Sequence, residues 1–248
     1  MGFKYMYTKY TGVILKRCPL GEADEMLTIY TKQVGKLRVR TVSSRKIKSR
    51  LAGSLQTLNE IDFETAGRSS GRGDGLPVLI SVRTRTFNNY LRENLGKFAH
   101  ALVGVETLYR LVPDHEGNEP AYGALIGFLR SLENTRQESR EVRLFQLKLL
   151  QYSGYAFPIA CLACQKAVVS GGGFVTAKGG MVCSSCQGDE RPDLILDSES
   201  VSELSGLVSG SPAVRLRSEV ERVVEGFLHY VLEREIRSRK FVEAVAEE

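Results

Sequence analysis

Four of the five cysteines fall as two C-x2-C pairs, Cys161/Cys164 and Cys183/Cys186, with 18 residues between the pairs. Each pair can turn two thiolates toward one ion, and a span of this length suits a hairpin that brings the pairs together. Gly171-Gly172-Gly173 and Gly179-Gly180 predict tight turns around Phe174–Ala177, a short strand. A closed tetrahedral shell of four thiolates leaves no open position for water or substrate, so the expected ion is one structural zinc. The competing chemistry is a redox pair or two disulfides. Disulfides fit poorly with an intracellular chain, and two such knuckles at this separation are rarely redox pairs. Cys18 follows a basic stretch and reads as an ordinary thiol.

A second kind of chemistry lies in the distribution of charge. The chain carries a net +5, but residues 1–85 hold 16 Lys/Arg against 7 Asp/Glu, leaving the remainder net negative. Within that third, residues 36–50 present Lys36, Arg38, Arg40, Arg45, Lys46, Lys48 and Arg50 with no acidic residue among them. A charge run is commonly just a solvated face. One with no interleaved acid is unusual for that purpose and points to a polyanion, nucleic acid above all.

Enzymatic signatures are missing. Gly35-Lys36 and Gly96-Lys97 are followed by Leu and Phe, so neither belongs to a phosphate-cradling G-x-x-x-x-G-K-[ST] loop. There is no H-E-x-x-H. His100, His115 and His229 stand far apart and read as surface or satisfied histidines, and Gly71-x-Gly73 lies between no strand and helix. The carboxylate pairs Asp24/Glu25 and Asp189/Glu190 are adjacent in sequence and form no acid/base constellation. A binding protein is expected, and a cryptic nuclease is the least favoured reading.

The elements that must position these groups change character along the chain. Tyr10–Arg17, Met26–Thr31, Lys36–Val42, Leu55–Phe63 and Val78–Val82 are short β-branched and aromatic runs separated by Pro19–Gly21, Val34–Gly35 and the polar Ser43–Ser49. Five such strands at this spacing predict a small barrel or sandwich, with Thr65–Gly75 a flexible loop before the last. After about residue 86 the period becomes helical. Leu91, Leu95, Phe98, Leu102, Val105, Leu108 and Val112 share one face, and Pro113 ends that helix. Further helices are expected over 121–132, 141–152 and 213–238, with Gly154 a natural stop. The arrangement predicts a domain over 1–85, a helical bundle from 86–154 and 193–248, and the cysteine-bearing insert 155–192. No stretch approaches a membrane-spanning length, and Met1–Met6 has neither a secretion signal nor a myristoylation pattern, so the expectation is a soluble cytoplasmic protein.

Several blocks are familiar in order and spacing: Gly12–Arg17 (GVILKR), Gly21–Asp24 (GEAD), Leu27–Thr31 (LTIYT), Gly35-Lys36, Lys48–Leu51 (KSRL) and Leu55-Gln56. Phe145–Leu150 (FQLKLL) with Gly154-Tyr155 ahead of Cys161, and Arg237–Phe241 (RSRKF), continue the match. The chain resembles the bacterial recombination mediator RecO family along nearly its whole length. That resemblance implies an α+β multidomain fold, with a five-stranded OB-fold β-barrel followed by an α-helical bundle carrying a four-cysteine zinc-finger insert. It also implies a non-enzymatic, nucleoid-associated task in DNA repair. The family binds single- and double-stranded DNA, anneals complementary strands and, with RecR, loads recombinase onto strands coated by single-strand-binding protein. The chain departs from the pattern at Val42–Arg45, where the family commonly has a Gly, and in the longer Thr65–Gly75 loop. Some members lack the cysteines, so zinc is not essential to the family's activity as such.

On an OB barrel the basic run would supply phosphate contacts. Aromatics near it are few (Tyr7, Tyr10, Tyr30), and core packing is at least an equal reading for Tyr10 and Tyr30. Phosphate-dominated binding predicts low sequence specificity and a log–log salt slope of about −0.7 per phosphate neutralised on single strands. The alternative is a zinc-stapled interaction scaffold whose basic face binds an acidic protein tail or RNA.

Overall fold

The computed structural model of the chain describes residues 5–42, 53–68, 75–210 and 216–246. It divides into two compact units, 1–94 with 112–126, and 95–111 with 127–248.

The first unit is a closed five-stranded barrel. Strands β1 (Tyr5–Leu20), β2 (Asp24–Thr31), β3 (Gly35–Thr41), β4 (Glu60–Arg68) and β5 (Val78–Thr86) close in the order β1-β2-β3-β5-β4, the OB-fold arrangement. β1 serves two partners, pairing with β4 from Tyr5 to Val13 and with β2 from Gly12 to Leu20. At the changeover a Cβ on Gly12 would lie 2.6 Å from Ile29 Cγ2 and 2.8 Å from the Tyr30 carbonyl oxygen, so the bend has room for glycine alone. A parallel contact between Arg40 of β3 and Val78 of β5 completes the ring. Ile14, Leu27, Ile29, Leu37, Val39, Leu55, Ile61, Phe63 and Leu79 fill the interior.

Two sequence expectations are corrected here. Leu55–Asn59 is a buried turn and not the start of a strand. Leu58 adopts a left-handed φ of 74°, its N–H donates to the Ile14 carbonyl, and the Asn59 amide donates to the carbonyls of Gly53 and Ser54. Leu55 and Leu58 are fully buried, so their apolarity reflects burial in a turn and not strand alternation. In turn, Thr65–Arg68 extends β4 opposite Tyr5–Thr8; residues 69–74 of the expected loop lie outside the described residues.

The single helix expected up to Pro113 is two: α1 (Asn89–Glu93) and α2 (Leu95–Leu111), interrupted where Asn94 becomes extended. α3 (Glu119–Asn134) and α4 (Glu138–Tyr152) follow. The cysteine region contributes β6 (Gly172–Val175), one 3-10 turn at Thr176–Lys178, β7 (Gly180–Cys183) and the short α5 (Gln187–Glu190). β8 (Leu194–Leu196) then adds to the free side of β6, giving the order β7-β6-β8.

α6 (Ser198–Val208) is a further helix, outside those the sequence predicts, and Asp197 caps it by accepting from the Ser200 N–H at 2.7 Å. The expected 213–238 helix is α7 (Ser218–Leu232), which stops where Glu233 turns left-handed (φ 52°); α8 (Arg239–Ala246) is separate.

One core joins the helices of the second unit to the cysteine region. α7 buries Val220, Val223, Val224, Phe227 and Leu228, the i, i+3, i+4, i+7, i+8 stripe of an amphipathic helix. That stripe packs with Leu147 and Leu150 of α4, Val201 and Leu204 of α6, and Phe174, Val182 and Cys161 of the cysteine region. Phe157 bridges, its ring 4.8 Å edge-on from Phe227 and 6.3 Å from Phe174. Among the described residues no helix is long and apolar enough to cross a membrane.

Candidate metal centre and nucleic-acid interface

Local hydrogen bonds shape each cysteine pair. In the first, the Gln165 N–H donates to the Cys161 carbonyl at 2.9 Å, and the Cys161 N–H donates to Lys166 O at 2.8 Å. Gln165 takes a left-handed φ of 60° to close the loop. In the second, at the end of β7, the Cys186 N–H donates to Cys183 O at 3.0 Å. The Leu162 N–H reaches the Met181 carbonyl at 2.8 Å, which fastens the first loop to β7 and brings the pairs face to face. Gly179 makes the intervening turn at φ 59°, with Tyr230 of α7 packed where its Cβ would be.

The four sulfur atoms consequently lie within 4.8 Å of one another, Cys164 and Cys183 at 3.8 Å. A tetrahedron with Zn–S bonds of about 2.3 Å has edges of about 3.8 Å. A disulfide would need about 2.05 Å. Backbone N–H groups of Cys164 and Cys183 aim at the Cys161 sulfur and bring its thiol down to about 6. Hydrogen bonding to Cys183, desolvation and the nearby Cys164 and Cys161 sulfurs push Cys186 up to about 12. Four sulfurs this close cannot all ionise without a cation among them, and the donor set fits a soft or borderline divalent metal ion.

On the barrel, the two-residue period of β3 sorts its side chains. Leu37, Val39 and Thr41 point inward, so Lys36, Arg38 and Arg40 leave the outer surface. They meet different surroundings. The segment 112–126 covers the outer face at Lys36. The His115 N–H donates to the Lys36 carbonyl, and Asp114 Oδ1 takes the Lys36 ammonium at 2.9 Å, leaving that side chain 9% exposed. The Lys36 hydrogen bond, opposed by some desolvation, and the charges of Lys36 and Arg38 hold the Asp114 carboxyl below its usual range.

Arg38 shares Asp114 at 3.0 Å but is 46% exposed; Arg40 forks onto Asp24 Oδ2 at 2.9 and 2.5 Å and is 49% exposed. Arg45, Lys46, Lys48 and Arg50 lie outside the described residues. The carboxylate partners are not legible in the sequence: Asp114 reaches Arg38 across a separation of 76 residues, and Asp24 joins Arg40 only through the β2–β3 register.

Of the three aromatics, Tyr30 is fully buried between the barrel and Tyr122, its ring 6.3 Å from that residue, and burial pushes its phenol up to about 12. Tyr10 packs against Phe63 with ring centroids 5.4 Å apart and the planes tilted by 32°. Tyr7 stands in solvent, 68% exposed. The Tyr122 hydroxyl donates to Glu60 at 3.0 Å, a buried polar tie between 112–126 and β4.

The second unit contains a cleft of about 760 Å³ lined in part by Arg143, which donates to Gln146 at 2.9 Å and pairs with Glu225. Burial draws the Arg143 guanidinium below its ordinary range, against the pull of Glu225 and Glu221. His100 lines the same cleft as a satisfied histidine, 2.8 Å from the Gly96 carbonyl and 3.4 Å from the Ser139 hydroxyl.

Comparison with known proteins accounts for both units. Residues 6–84 match the family described as "Recombination protein O N terminal", and residues 92–240 match "Recombination protein O C terminal". A Roseiflexus protein named DNA repair protein RecO is 30% identical over 94% of this chain and 84% of its own. A Streptomyces griseus protein of the same name is 30% identical over 94% of this chain and 97% of its own. One from Desulfatibacillum aliphaticivorans is 27% identical over 94% and 95%.

Proposed function

Since the chain belongs to the recombination protein O family and so to DNA repair and recombination, we propose that it is a non-enzymatic recombination mediator. It binds single- and double-stranded DNA through the barrel and anneals complementary strands. With RecR, it opens the way for recombinase on strands coated by single-strand-binding protein. Its place of work is the cytoplasm, at the nucleoid. The observation that carries this reading is that β3 of an OB-fold barrel directs Arg38 and Arg40 outward and leads directly into Arg45, Lys46, Lys48 and Arg50.

Arginine forks match phosphate oxygens and release counterions on binding, and neither step needs a particular base. Neutralising the phosphates of two strands together removes the repulsion that slows their pairing. The chain's own residues supply this by charge alone, so no nucleotide is hydrolysed. Lys36 contributes differently: enclosed under 112–126, it anchors Asp114 beside Arg38. Cys161, Cys164, Cys183 and Cys186 hold one zinc ion, which staples the β7-β6-β8 sheet and reacts with nothing.

The test is annealing of complementary oligonucleotides by purified protein without nucleotide, alongside a variant with Arg45, Lys46, Lys48 and Arg50 changed to Glu. The parent is expected to accelerate annealing and the variant to lose both annealing and DNA binding at low and moderate salt. A variant that anneals normally would show that the site is misplaced. Metal-dependent shortening of the strands would mean that the protein is an enzyme.

A further inference from the structure

The outward row of residues at one end of the barrel forms a surface of which the phosphate-binding reading uses Arg40 alone. Cross-strand register sets Tyr7 of β1 opposite Ala66 of β4, Ala66 opposite Val78 of β5, and Val78 opposite Arg40 of β3. Their neighbours Ile61, Phe63, Leu79 and Val39 point into the core, so these four share the outer face. An aromatic ring, a small residue, an aliphatic residue and a guanidinium thus run side by side across three inter-strand spacings, about 14 Å around the sheet.

The surface is exposed where a folded chain ordinarily hides such groups. Tyr7 has no ring or hydrogen-bond partner among the described residues, and Val42, just past β3, and Ile80 of β5 are also exposed. Ile80 reaches solvent because the β4–β5 register shifts between Glu64 and Thr65, placing it and Ser81 together outside.

We propose that Tyr7, with the Ala66–Val78 floor beside it, is a stacking platform for an unpaired base of single-stranded DNA, whose phosphate is held by Arg40. The inference rests on the DNA-binding reading above and adds the element that tells single strands from duplex. Ala66 leaves the flank of the Tyr7 ring open to a flat group. Arg40 uses its Nε and one terminal nitrogen on Asp24, and a guanidinium has a further edge of donors to offer a phosphate. A paired base in a duplex presents no free face, so only an unpaired one gains from the ring.

The chain contains no tryptophan, so Tyr7→Trp places a single tryptophan at the platform, excited at wavelengths the remaining tyrosines do not absorb. Binding of fluorescein-labelled oligothymidylate and of a duplex would be followed for the parent, Tyr7→Ala, Tyr7→Phe and Tyr7→Trp. Tyr7→Ala is expected to weaken single-strand binding by about 5- to 150-fold with an unchanged salt slope and unchanged duplex affinity. Tyr7→Phe should restore it, and the emission of the Tyr7→Trp protein should be quenched by unlabelled oligothymidylate but not by duplex. The platform is refuted if Tyr7→Ala binds single strands like the parent, if it loses duplex binding equally, or if the tryptophan emission is unmoved at saturation. In each case salt-dependent binding by the parent would leave the broader reading standing. A parent that binds no DNA would sink both.

Discussion

Replacing Arg38 and Arg40 together by Gln gives the sharpest measure of whether β3 grips phosphate. Both side chains are about half exposed and stand on the same outer face as their neighbour Lys36, which is enclosed against Asp114. If each arginine neutralises one phosphate, the double variant loses about 1.4 from the log–log salt slope on a single strand. Between about 50 and 200 mM salt, the parent's advantage over the variant should therefore shrink by about 7-fold. Titrating a labelled single strand by anisotropy at several salt concentrations gives the slope directly. Lys36→Met is the internal contrast. Asp114 is partly exposed and keeps Arg38 as a partner, so the cost is about 1–3 kcal/mol of stability, and the slope is unchanged. An unaltered slope in the arginine variant, or a slope in the Lys36 variant that falls as far, would refute the assignment of roles along β3.

Removing the metal should act on the second unit through its core. Cys161 is fully buried in the cluster that contains Phe174, Val182 and Phe227, so Cys161→Ser is expected to destabilise by on the order of 3–5 kcal/mol. Zinc should fall from about one per chain to well below that by metal analysis, while barrel binding to single strands persists. Glu106 of α2 makes a pH-dependent tie to α8 by accepting from the Arg237 N–H, the Ser238 N–H and the Ser238 hydroxyl at 3.0, 2.7 and 2.6 Å. Desolvation pushes this carboxyl up, but those hydrogen bonds and Arg110 outweigh it and hold the group below its ordinary range. Its stabilising contribution is thus complete above the unfolded value of about 4.3 and is lost as pH falls through the lower folded value. Hydrogen exchange should show α8 opening first on acidification, and Glu106→Gln should show the same opening already at neutral pH.

Local pattern revealed what depends on local pattern. Two C-x2-C pairs in a glycine-bounded hairpin, the alternation of Leu37 and Val39 with Arg38 and Arg40, and the stripe from Val220 to Leu228 each follow from the period of a single element. The errors arose where one residue type serves two ends. Leu55 and Leu58 have the composition of a strand, yet they are buried in a turn whose amide and carbonyl groups are satisfied by Ile14 and Asn59. Glycine and serine suggest a loop from Thr65, but Thr65 and Ala66 of β4 pair with Thr8 and Tyr7 of β1. α6 announces itself only through Asp197 and the spacing of Val201, Leu204 and Leu207, and its polar face concealed it.

The outer face of the barrel shows where sequence reasoning stops. Tyr7, Tyr30, Lys36, Arg38 and Arg40 all leave the sheet on the same side by the same two-residue rule. What each then meets is decided by residues far away in the chain. Segment 112–126 brings Tyr122 onto Tyr30 and Asp114 onto Lys36, which makes both the aromatic and the cation fixed parts of the fold. Arg38 lies at the limit of that cover, and Arg40 and Tyr7 beyond it. A charge run counted in sequence therefore overstates the cations free to meet a polyanion. The same covering segment fixes Tyr30 in the fold and leaves Tyr7, 68% exposed, as the ring open to a base.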